Sequence, residues 1–123
     1  MLNDIFGFVN EISFMLMYHV TVKVNHEKVA EWLNWMKSVH ILEVLDTGYF
    51  IKCRLSTLDT SDQDGASFSV LYDCPSHDAL NQYMSLCAPA LQKKHIEKFA
   101  GHFVAFRTIL EVNDEFYPRN RES

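Results

Sequence analysis

Two histidines hold most of the chemistry this chain offers. In EWLNWMKSVHILEV, residues 31 to 44, Trp32 and Trp35 precede His40, and Glu43 follows it by three positions. At about 100° per residue, Val29, Leu33, Met36 and His40 share one helical stripe, with Trp32 at its edge and Trp35 further round the flank. At the carboxyl end of such a helix the dipole favours an imidazolium, and a neutral ring can bond a terminal carbonyl. His40 is therefore either a satisfied structural residue or the acid, base or ligand of a cavity between helix and sheet. In the second case Glu43 orients the ring and Trp32 forms a wall. His95 poses the same choice on a later helix, four residues after Leu91 and four before Phe99. Lys93, Lys94 and Lys98 surround it and would lower its proton affinity while attracting carboxylates. The catalytic candidates are thus His40, Glu43 and His95.

Basic residues supply the second signal. Strand alternation projects Lys23, Lys52, Arg54 and Arg107, four of the eleven lysines and arginines, onto one sheet face with His19, Thr21, Ser67 and Ser69. If two subunits pack these faces together, the charges need counterions. Either a small anion or carboxylate binds there, or pairs such as Arg107 with Glu111 cross the interface. The ligand-binding candidates are His19, Trp32, Lys52, Arg54, Ser69 and Arg107.

Other chemistries find no support. The chain has no glycine-rich phosphate loop, no GxSxG elbow and no HExxH. Cys53, Cys74 and Cys87 are an odd number at wide spacing, the pattern of reduced cytoplasmic thiols, and no metal site is expected. His26, His77 and His102 fall near element ends, as surface or capping residues. The net charge of −5 opposes binding to nucleic acid or an anionic membrane.

These side chains need a frame, and the pattern supplies one. YHVTVKV, residues 18 to 24, alternates as a half-buried strand, and Asn25 caps a helix that ends near His40. Gly48 opens GYFIKCRL, with Tyr49, Ile51, Cys53 and Leu55 opposite Phe50, Lys52 and Arg54. Residues 56 to 65 form a hairpin-like link before SFSVLY, residues 67 to 72. Pro75 and Ser76 start a second helix with Leu80, Tyr83, Met84, Cys87, Leu91 and His95 on its stripe; Pro89 kinks it or opens a second short helix. Gly101 ends it. FVAFRTILEV, residues 103 to 112, is the last strand, with Val104, Phe106, Leu110 and Val112 facing the core and Arg107 and Glu111 facing away.

The order strand, helix, strand, strand, helix, strand predicts an α+β ferredoxin-like fold, βαββαβ, with a four-stranded antiparallel sheet and two helices on one face. Residues 17–112 form that domain. Residues 1–16, which lack the basic front end of an export signal, are an amphipathic helix or a misassigned start, and 113–123 are a polar tail.

Several spaced motifs add a resemblance: Trp32, Trp35 and Met36; His40, Ile41, Glu43 and Val44; Thr47, Gly48 and Phe50; and the closing run from Gly101 through Phe103 to Thr108, with Glu111 and Val112. Together they resemble a small bacterial domain family of unknown function. Leu42 stands where that family usually has proline. Related folds are the dimeric α/β-barrel proteins, among them antibiotic-biosynthesis-type monooxygenases and haem-degrading enzymes. The resemblance implies a homodimer of dimeric α/β-barrel type, with a small organic molecule, anionic in one version, in a barrel or helix-to-sheet cavity. The alternative it implies is a cofactor-independent or haem-linked monooxygenase or isomerase using His40 or His95. Haem is the cofactor that this alternative would require in its second form.

Overall fold

The computed structural model describes residues 15–58 and 64–120. The expectations for the first 14 residues, for the middle of the link at 59–63 and for the last three residues of the tail lie outside the described residues. Four strands, β1 (Leu16–Asn25), β2 (Lys52–Thr57), β3 (Gly65–Cys74) and β4 (Phe103–Glu111), form one sheet in the order β2-β3-β1-β4. Every neighbouring pair is antiparallel. Two helical segments connect them. The first comprises a 3-10 turn at His26–Lys28, α1 (Val29–Trp35), a π turn at Met36–His40 and α2 (Ile41–Asp46); the second comprises α3 (His77–Leu86) and α4 (Ala88–Lys98). This is the expected ferredoxin-like fold.

Alternation in β1 and β3 explains where the core sits. Leu16, Tyr18, Val22 and Val24 are buried in β1, and Phe68, Val70, Tyr72 and Cys74 are buried in β3. Both sets meet Trp32, Met36 and Val44 from the first helical segment and Leu80, Tyr83, Ala88 and Leu91 from the second. Burial of such a side chain contributes roughly 1.5–3 kcal/mol, so this one layer carries most of the folding free energy. Ser76 caps α3, its hydroxyl oxygen accepting the Ala79 amide at 3.1 Å. Pro89 lies in the first turn of α4, where its missing N–H costs nothing, so the second of the two expected arrangements is the one found.

Three expectations are corrected. The first helical segment does not end at His40: it runs on to Asp46 and stops before Gly48, whose φ of +85° suits a residue without a side chain. Strand β2 begins at Lys52, so Tyr49 to Ile51 escape alternation; Phe50, expected outward, is buried, and Ile51, expected inward, is exposed. The facing of β4 is inverted. Register pairs Phe103, Ala105 and Arg107 with Val24, Val22 and Val20, so these three lie on the helix side. Val104, Phe106 and Leu110 oppose Lys23, Thr21 and Met17 and are exposed on the outer face. Large apolar residues occupy both phases of β4, so alternation could not choose between them.

Gly65, at the start of β3, is required by close approach rather than by its own φ. A Cβ there would run into the backbone carbonyl of Val24. Gly65→Ala is expected to cost about 2 kcal/mol or more, because two paired strands would have to separate locally. Urea unfolding would show it as a lower midpoint at unchanged slope; an unchanged midpoint would mean that the strands yield freely.

Candidate functional site

The π turn sets the geometry. Its five residues, Met36–His40, insert a wider turn in which the Ile41 amide bonds back to the Met36 carbonyl, and His40 is its last residue. His40 is thereby turned beneath Trp35, whose ring stacks on it at 4.7 Å with 23° between planes. His95 approaches from α4, its ring centre 5.3 Å from that of His40. Phe103 of β4 lies flat against His95 at 4.0 Å and 3°. The two histidines are 8% and 5% exposed, the only buried polar residues among those described.

Their hydrogen bonding differs. The Trp32 indole Nε1–H donates to His95 Nε2 at 2.9 Å, and because indole nitrogen can only donate, a neutral His95 must carry its own hydrogen on Nδ1. His40 Nδ1 is buried with no hydrogen-bond partner among the described residues. Burial pushes the His40 ring down to about 4; Glu43 opposes this, while Lys94 and Arg107 add to it. His95 is pushed down to about 3, first by burial and then by His40 and Arg107. Both rings are neutral at pH 7.

Between the helices and the sheet lies a small cavity of about 30 Å³. Its polar lining comprises His40, His95, Gln92, Arg107 and the tyrosines Tyr18, Tyr72 and Tyr83, and Val20, Val22 and Val70 line it from the sheet. The tyrosines belong to one aromatic cluster with Phe50, which is 4.7 Å from Tyr83 and 5.1 Å from Tyr72. Burial raises the phenols of Tyr72 and Tyr83, which keeps them neutral donors. Such a site can offer a cation, two neutral imidazoles and hydroxyls around an apolar volume. A thiol nucleophile is missing from it: burial pushes Cys53 up to about 11, and Cys74 is raised as well.

The residues singled out from sequence divide into two groups. His40, His95, Trp32 and Arg107 come together on the helix side. His19, Lys52, Arg54 and Ser69 remain on the outer face, where His19 Nε2 lies 2.7 Å from Ser69 Oγ and Lys52 lies 3.8 Å from Asp73. Arg107 was expected with them, and the β4 register places it across the sheet. Glu43 does not orient His40 by a hydrogen bond; its carboxylate takes the Lys94 ammonium at 2.8 Å on the surface. Trp32 serves His95, and the indole against His40 is Trp35. Lys93, which was expected to act on His95, instead faces Glu97 at 3.8 Å, and burial is the larger cause of the depressed histidine. Tyr18, Tyr72, Tyr83 and Gln92 were missed. The tyrosines sit at inward strand and stripe positions, so a polar tip on a core-facing residue was the available signal. No group of three or more metal-ligating side chains occurs among the described residues, and no helix among them is long and apolar enough to cross a membrane.

Comparison with solved structures gives the same architecture at low identity. A dimeric ferredoxin-like protein from an uncultured marine organism superposes with a TM-score of 0.67 at 8% identity, over 84% of this chain and 99% of the other. A protein from Bacillus cereus, assigned as an antibiotic biosynthesis monooxygenase, gives 0.60 at 12%, over 85% and 99%. A Streptomyces coelicolor monooxygenase in complex with nanaomycin D gives 0.59 at 12%, over 90% and 98%. These likenesses concern the fold. No curated protein matches the chain. Residues 15–113 match the domain of unknown function DUF4286, and the chain belongs to that family.

Proposed function

We propose that this domain acts as a homodimer, joined through the outer sheet face, and binds a small organic molecule in the cavity lined by His40, His95 and Arg107. One observation carries the ligand: His40, lining that cavity, has a buried ring nitrogen that no group among the described residues satisfies. An orphaned buried polar atom costs about 1–3 kcal/mol, so its retention calls for a partner outside the protein. The outer face supports the dimer, since Phe106 is 70% exposed beside Val104 and Leu110. The dimeric protein among the similar folds supports it further.

A cofactor-independent monooxygenase or isomerase is the second reading. The observation favouring it is a pair of imidazoles held neutral at pH 7, of which His40, with no bond from Trp32 to break, can accept a proton from an acidic substrate. The monooxygenases of similar fold lean the same way. A haem does not fit the arrangement: Nε2 of His95 is engaged by Trp32, and the cavity is far smaller than a macrocycle.

Native mass spectrometry of protein purified from its own host tests the proposal. A dimer with a reproducible extra mass is expected, and Phe106→Glu is expected to yield monomer by placing a charge on the joined face. A bare dimer that stays bare when metabolite extract is added would remove the ligand, and a wild-type monomer would remove the interface.

A further inference from the structure

The charges around the cavity do not cancel. Glu43 and Lys94 close on each other at 2.8 Å outside it. Arg107 forms no ion pair among the described residues, and Glu111, the carboxylate on its own strand, is taken by His77 at 2.8 Å. One guanidinium, that of the exposed Arg107, is therefore left at the edge of the cavity that the two neutral imidazoles line, with the Nδ1–H of His95 as a further donor and the ring of His40 unsatisfied. Everything else around the space is apolar, a neutral hydroxyl or the neutral amide of Gln92. A guanidinium presents parallel N–H groups that match the two oxygens of a carboxylate. A phosphate dianion would bring a second charge for which the cavity has no second cation.

Resting on the reading of this cavity as the ligand site, we propose that its ligand is a monocarboxylate with a short apolar tail, bound at Arg107 together with a proton that settles on His40. The present volume of about 30 Å³ admits only a few heavy atoms, which sets the tail length. The proton follows from the charges facing His40. Glu43 on its own helical segment favours imidazolium, Lys94 on α4 and Arg107 on β4 oppose it, and His95, Tyr18, Tyr72 and Tyr83 are neutral neighbours. A carboxylate at Arg107 offsets the one opposing charge that lines the cavity and brings a negative one near His40, which counters the effect of burial. His40 takes the proton rather than His95 because protonating His95 would break its bond from Trp32. The proton comes from solvent and forms an N–H bond on His40, and no bond between heavy atoms changes.

Calorimetric titration of the full chain with propionate, and with neutral propionamide as its isostere, tests this in two buffers of different ionisation enthalpy. Propionate is expected to bind with uptake of up to about one proton, its affinity rising by up to about tenfold for each pH unit lowered from about 6.5, the ordinary histidine value, towards about 5. Arg107→Gln should lose at least about tenfold in affinity. His40→Gln should still bind propionate and lose the pH dependence. Propionamide binding as tightly as propionate, with no proton uptake, would overturn the inference and leave the cavity reading standing. PH dependence that survives His40→Gln would overturn it too, as would failure of both probes. In that last case an extra mass of another class in the native spectrum would separate this failure from failure of the cavity itself.

Discussion

Lowering the pH from 6.5 towards 4 costs this fold several kcal/mol of stability, with about two protons taken up on unfolding near pH 5. The sign follows from the two buried histidines. Folded, His40 and His95 titrate at about 4 and about 3; unfolded, both return to 6.5. Above 6.5 neither state binds these protons and the two rings contribute no pH dependence. Below it the unfolded chain binds them and the folded chain does not, so stability falls until the folded values are reached. His40 alone accounts for roughly 3 kcal/mol of this, at about 1.4 kcal/mol per pH unit. Urea unfolding at pH 7 and pH 5, repeated on His40→Gln, is the measurement. The variant should take up about one proton fewer on unfolding. Identical pH slopes for variant and wild type would mean that His40 is solvated in the folded state. A carboxylate bound in the cavity should also shrink the slope.

Trp32→Phe should destabilise the domain by about 2–4 kcal/mol, although it exchanges one aromatic ring for another. Trp32 is fully buried, and its ring centre is 4.9 Å from that of Phe68. Phenylalanine preserves part of that packing and leaves a void where the larger indole ended. It also strips the donor from His95 Nε2, so a buried acceptor goes unpaired. Trp32→Leu, losing the ring as well, is expected at about 3–5 kcal/mol. Equilibrium unfolding followed by circular dichroism would give both values, and nitrogen NMR of His95 would separate them. In Trp32→Phe the hydrogen should no longer be confined to Nδ1. A His95 tautomer that stays unchanged would show that another contact, such as Phe103, holds the ring.

The fold was legible because β1 and β3 alternate cleanly, and because Pro75, Ser76, Pro89 and Gly101 mark the ends of the second helical segment. The histidines were legible for the same reason: each sits on an apolar stripe where a polar ring has to be accounted for. Their partners were not. Helical angle alone placed Trp32 near His40, but the π turn adds a residue per turn and gives that place to Trp35. Nothing in MKSVH announces such a turn. Arg107 was read onto the wrong face because β4 carries phenylalanine in both phases, at Phe103 and Phe106. Only its register against β1 decides between them, and register is a property of the assembled sheet.

The turn at Met36–His40 also separates two kinds of inherited change. One residue more there would exceed what the π turn absorbs and would rotate everything beyond it by about 100° relative to the preceding part. Substitutions in this domain act on stability or on the cavity according to which side chain they alter. Gain of a single codon in this stretch would leave both tryptophans and both histidines in the chain while taking His40 out from under Trp35. The composition of the site would survive and its arrangement would not. Descendants of this sequence that keep all its notable residues but are one residue longer from Trp35 to His40 would therefore share the scaffold without sharing the pocket.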